Sequence, residues 1–258
     1  MPVVRYSQDS PPISEPNENT ELVKYIDIVK FLSILKEQSL FFCRIDKLED
    51  KFEGTLPALT HSKIVEWYKY MRDVRKYFTT PFPDDELDKK ASETLSFQNK
   101  MRSLNCINCW NKFDAESYAL WKIYANLNQG IMLKTTFKKL IHSFGASSEK
   151  IYCSSVKYID YNKDIIDFGN TMSPLIHKHY CYTYENEIRL IHEVPNTAWV
   201  HNWGAEKYEA GVMIPIDLSD LFDEIVISPF SPDWFRELIA DLASKYSLKC
   251  KITDSVLR

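Results

Sequence analysis

YENEIRLI, Tyr184–Ile191, sets Glu185, Glu187 and Arg189 at every second position, with Asn186, Ile188 and Leu190 between them. Successive side chains of an extended strand point to opposite faces, so this pattern puts three charges on one side and mainly apolar residues on the other. The run continues into Ile191, which predicts a central strand rather than a frayed edge. A strand covered on both faces needs a cavity or partners for its charges. The competing reading is a solvated face, because two carboxylates about 7 Å apart repel by only about 0.6 kcal/mol in water.

Further strands and helices spread outward from this one. LVKYI (Leu22–Ile26) reads as a strand, and Asp27 then caps a helix whose Ile28, Phe31, Leu32 and Leu35 recur at helical spacing. LFFCRI (Leu40–Ile45) places Arg44 on one face with Leu40 and Phe42. CINCW, GIMLK, GVMIPID, EIVIS and KCKIT read as strands. Helices follow Asp114, begin near Phe137, and span Asp233–Lys245, the last with Ser231 as N-cap. Ile64, Trp67, Met71, Val74 and Phe78 mark a long helix, TTPFPDD breaks it, and a second helix runs to Leu104. The expected architecture is α+β: a central, mostly antiparallel sheet with packed helices and a helical hairpin insertion at about residues 59–104. Residues 1–20 are expected to form a flexible leader, and 21–258 a single domain.

Composition narrows the function. The chain has 258 residues, a net charge of −4, and 45% hydrophobic against 26% charged residues, which are globular values. That charge gives no overall attraction to phosphate backbones, so nucleic-acid binding rests only on Lys138, Lys139 and the many aromatics. No apolar run reaches the roughly 18 residues of a membrane span, and no signal-peptide core opens the chain, so a cytoplasmic protein without a membrane partner is expected. Six scattered cysteines are then expected to stay reduced. Only six glycines occur, and none form a GxGxxG or Walker loop. Cys106 and Cys109 make a CxxC without a second pair, and His177, His179 and Cys181 lie far along the chain, so no metal is assigned.

Three further stretches could carry chemistry. LEDKFEG brings Asp50 and Glu53 just after the strand bearing Arg44, either as an acidic turn or as ligand contacts. ESYALWKIYA carries Trp121 and Tyr124, aromatics that fill a core or stack on a base. Tyr25 and Arg44 would complete a nucleotide pocket, the guanidinium holding an anionic group. Arg189 can orient or clamp in the same way.

VKYID, LFFCRIDKLEDKFEG, CWNKFDAESYALWKIYA, GIMLK, VKYIDY, YENEIRLI and EIVISPFSPDWF, taken together, resemble an uncharacterised, mainly bacterial family, domain of unknown function 2971. The resemblance runs from about Leu22 onward and implies a shared fold without an established reaction. A looser similarity links the layout to ADP-ribosyltransferases, in which the second Glu of ExE is catalytic. It implies Glu187 as the key carboxylate, Glu185 assisting and NAD as the molecule cleaved. The first strand, however, offers Lys24 and Tyr25 where that family has His or Arg. The alternative is a non-catalytic interaction module of a stress or phage-defence system, its charged strand forming a structural ion-pair network.

Overall fold

The computed structural model describes residues 13–75, 83, 86–125, 128–193 and 210–258. Its elements in chain order are β1 (Glu21–Asp27), α1 (Ile28–Glu37), β2 (Ser39–Arg44), α2 (Ala58–Arg75), α3 (Glu86–Met101), β3 (Asn105–Lys112), α4 (Tyr118–Tyr124), β4 (Gly130–Thr136) and α5 (Phe137–Ser143). They continue as β5 (Ile151–Ser155), β6 (Lys157–Ile159), β7 (His177–His179), β8 (Glu187–Glu193), β9 (Gly211–Pro215), β10 (Glu224–Ile227), α6 (Asp233–Lys245) and β11 (Lys251–Asp254). The α+β class and the mostly antiparallel sheet agree with the sequence, and α2 packs on α3 as the expected hairpin. Most of the TTPFPDD break and Phe78 lie outside the described residues.

Nine strands form one sheet, and β3 is its branch point. One edge of β3 pairs with β8 from Asn105 opposite Glu193 to Asn111 opposite Glu187, and β8 passes on to β5. The other edge is divided. Its end takes β1 at Leu22 and Val23, whereas its start takes β2 at Cys43 and Arg44. From there β1 leads to β4, β10 and β11, and β2 leads to β9. Only β10 and β11 run parallel within this sheet, as α6 between them requires.

The fork exposes backbone groups of β3 that no strand can satisfy, and buried polar groups must be paired. Side chains do so. Lys24 Nζ donates to Cys109 O at 2.5 Å and lies near Asn108 Oδ1, while Asn108 Nδ2 donates to Phe41 O at 2.8 Å across the gap. The Lys24 ammonium also sits 5.5 Å from the centroid of Trp110.

Alternation along the strands splits the core in two. Leu22, Ile26, Trp110, Ile131, Leu133, Ile188 and Leu190 pack with Phe31 and Leu35 of α1, Phe137 and Leu140 of α5, and Phe235 of α6. On the opposite face Val23, Tyr25 and Met132 lie beneath α4, and Ile107, Tyr152 and Ile191 beneath Leu175 and Ile176. Each such side chain, removed from water, contributes roughly 1.5–3 kcal/mol.

Three local expectations are corrected. Residues 13–20 are not a loose leader, because Ser14 exchanges hydrogen bonds with Ser154 and Ser155, and the carbonyls of Glu18 and Thr20 accept from Lys138 and Phe137. Residues 1–12 lie outside the described residues. Asp114 does not cap α4. Ser117 does, its side chain accepting from Leu120 N, while Asp114 accepts from Asn186 Nδ2. For α6 the N-cap position is Pro232, which has no side-chain cap, rather than Ser231.

Burial lowers the Lys24 pKa from 10.5 to about 8, with the Cys109 and Glu187 charges opposing the shift. The folded state therefore binds fewer protons than the unfolded chain between those values, and stability rises with pH across that window. Denaturant unfolding of wild type and Lys24→Met at pH 8 and 10.5 should show wild type gaining on the order of 2–3 kcal/mol relative to the variant. A pH-independent difference would contradict this seam.

Candidate functional site

The three charges of the opening stretch do not lie on one strand. Tyr180–Glu185 is a 3-10 helix, Asn186 turns the chain at φ 43, and β8 begins at Glu187. Asparagine tolerates this left-handed conformation better than most residues. The turn is pinned because Asn111 Nδ2 donates to Glu185 O and Lys112 N donates to Asn186 O. Two carboxylates expected to share a face by strand alternation thus reach one point from two different elements.

That point is Lys178 of β7. Its Nζ lies 2.5 Å from Glu185 Oε2, 3.1 Å from Glu187 Oε2 and 3.1 Å from Glu53 Oε1. Arg189 closes the ring: Nε donates to Glu187 Oε1 at 2.8 Å, and Nη1 donates to Leu175 O at 2.6 Å. Its Nη2 stands 2.8 Å from Glu53 Oε2, an ion contact in which neither atom is aligned for a hydrogen bond. Glu53 is delivered by the turn after β2. That turn needs Gly54, whose φ is 71 and where a Cβ would meet Ile45 Cγ2 at 2.8 Å. Tyrosines finish the shell, with Tyr124 Oη donating to Glu185 Oε1 at 2.6 Å and Tyr158 Oη accepting from Glu187 N.

All five charged residues are buried, and Arg189 is 0% exposed. With every group ionised, three carboxylates would face two cations. The electrostatics separate the two carboxylates of ExE. Burial alone would raise the Glu187 carboxyl, but Arg189 and Lys178 outweigh it and hold it well below its usual range. Burial raises Glu185, and Lys178 and Tyr124 offset this only partly. Lys178 and Arg189 are each penalised by burial, yet the glutamates around them push both upward. Of the two ExE carboxylates, Glu185 is therefore the one on which a proton is better tolerated.

The remaining candidates stand elsewhere. Arg44 makes a two-pronged pair with Asp46, at 2.9 and 2.7 Å. Tyr25 and Trp121 are core residues in an edge-to-face contact with centroids 4.9 Å apart. Tyr25 Oη accepts from Ser117 N, and the Trp121 indole donates to Glu116 Oε2. Asp50 Oδ1 accepts from Phe52 N within its own turn. Glu53, Tyr124, Glu185, Glu187 and Arg189 are thus assembled, while the hydrogen bonds described above for Tyr25, Arg44, Asp50 and Trp121 go to other partners. The sequence reading missed Lys178, whose only signal was a lysine alternating with two histidines in HKH. Among the described residues no group of His, Cys, Asp and Glu could hold a metal ion, and no helix is long and apolar enough to cross a membrane. All six cysteines are free. The chain matches no protein-family model and no curated protein.

Removing one partner from a buried pair strands the other charge, at a cost of about 3–5 kcal/mol. Glu187→Gln should lose about that much stability by urea titration at pH 7, and Glu185→Gln should lose far less. The pH dependence carries opposite signs for the two. Glu187 is lowered below 4.5, so its contribution is complete above that pH and is lost on acidification below it. Glu185 is raised above 4.5, so its contribution is present below that pH and is lost as pH rises through the raised value. Equal destabilisation by both variants would refute this ordering of Glu185 and Glu187.

Proposed function

We propose that this chain is a non-catalytic interaction module, of the kind a stress or phage-defence system would use, with the ExE segment serving as a structural ion-pair network. The observation that carries the reading is closure. Lys178 meets three carboxylates, Arg189 meets two carboxylates and a carbonyl, and the Glu187 side chain is 1% exposed. A carboxylate acting as base or stabiliser needs hydrogen-bond reach to its substrate, and here protein groups fill that reach. A network of this kind fixes three separate segments against the sheet. The insertion offers a surface for a partner: Trp67, Tyr70 and Val74 of α2 are all exposed, and grouped apolar side chains at a surface mark interaction sites.

One observation favours ADP-ribosyl transfer as the second reading. The two carboxylates of ExE are biased toward opposite protonation states, the arrangement that separates an acid from a base. Purified protein incubated with NAD and candidate acceptor proteins distinguishes the readings when wild type is compared with Glu187→Gln. The module reading expects no NAD consumption by either and a clearly lowered melting temperature for the variant. NAD cleavage by wild type that disappears in a variant of unchanged stability would replace it with the enzyme.

A further inference from the structure

The nine-stranded sheet ends at three strands, β11, β9 and β5. An open edge offers unpaired N–H and C=O groups to any other strand, and proteins guard such edges with charge or with covering chain. Two of the three are guarded here. At β11 the Arg236 guanidinium donates to Ile252 O at 3.0 Å and to the Asp254 carboxylate at 2.6 Å. At β5 the carbonyl of Ser14 accepts from Ser155 N at 2.8 Å, and Ser14 N donates to Ser154 Oγ.

β9 has neither device. Its sequence GVMIP carries no charge, and among the described residues it pairs with β2 alone. Arg44 N donates to Ala210 O and Ile216 N to Gln38 O, which assigns the even-numbered residues of this stretch to β2. Alternation turns the backbone of Gly211, Met213 and Pro215 the other way. That edge holds three acceptors but only two donors, because Pro215 has no N–H. Beside it lies an apolar surface: Met213 is 38% exposed, and Phe41, directly opposite it on β2, is 44% exposed.

A second copy of the strand, turned about a two-fold axis at Met213, meets these requirements. Each Met213 N–H then reaches the other Met213 O, and each Gly211 N–H reaches the other Pro215 O, so every outward donor of both copies is paired. Directly opposite residues of an antiparallel pair share a face, so Phe41 and Met213 of the two copies form one apolar row in which no charges meet. A foreign strand would have to supply this match, whereas the chain already carries it. We propose that the chain self-associates as a two-fold dimer through β9, each sheet continuing into the other. This contact is independent of the role given to the ion network.

Sedimentation equilibrium of the full chain from micromolar to submillimolar concentration tests the inference. Wild type should approach twice the chain mass as concentration rises, and hydrogen exchange at the Gly211 and Met213 amides should slow in step. Met213→Lys sets like charges opposite each other, and Met213→Pro removes an outward N–H that β2 does not use. Each variant should weaken association roughly tenfold or more at an unchanged melting temperature. Should either variant fold poorly, the exchange measurement on wild type decides. A wild type that stays monomeric, leaving the edge to an unrelated strand, Gly211 and Met213 amides indifferent to concentration, or a dimer that both folded variants leave intact would overturn the proposal.

Discussion

The pairing of Glu53, Glu185 and Glu187 with Lys178 and Arg189 is the constraint around which this half of the molecule is arranged. Removing such ions from water costs several kcal/mol each, and the pairing returns that only when all the partners arrive together. They come from the turn after β2, from β7, from a 3-10 segment and from β8. Every one of these must be in register before any is satisfied. Sliding β8 by one residue would drive Glu187 and Arg189 into the apolar layer containing Trp110 and Leu190. The network thus acts less as a source of net stability than as a penalty on wrong arrangements.

The same logic explains the tyrosines. Tyr124 and Tyr158 each place a hydroxyl where a carboxyl group or a backbone amide would otherwise lose its hydrogen bond to water. Tyr182 lies over the Lys178 ammonium at 4.7 Å, adding a face that attracts the cation. The high aromatic content therefore serves the charges as well as the core.

The periodic parts of the fold were legible in the sequence. Alternation identified β1, β2, β3 and β4, helical spacing and Asp27 identified α1, and the period of α2 and α3 gave the hairpin. What could not be read was anything decided by distant partners. The strand-like look of YENE gave way to a 3-10 turn because Asn111 and Lys112 hold the backbone of Glu185 and Asn186. Nothing in the sequence marked Lys178 as the point where three glutamates meet. In the sequence Trp121 suits either a core or base stacking and Tyr25 a nucleotide pocket; both are core residues, and their pairing with Glu116 and Ser117 depended on how α4 meets β1.

The forked strand has a mechanical corollary. Each arm hangs from the trunk of the sheet by two residue pairs, β2 at Cys43 and Arg44 and β1 at Leu22 and Val23, whereas the β2–β9 ribbon and the β1–β4–β10–β11 arm are each joined internally along nearly their full length. Cooperative units separate where the fewest bonds cross. The molecule is accordingly built as two blades hinged on β3, and thermal fluctuations would part the sheet at these short seams while leaving each blade closed.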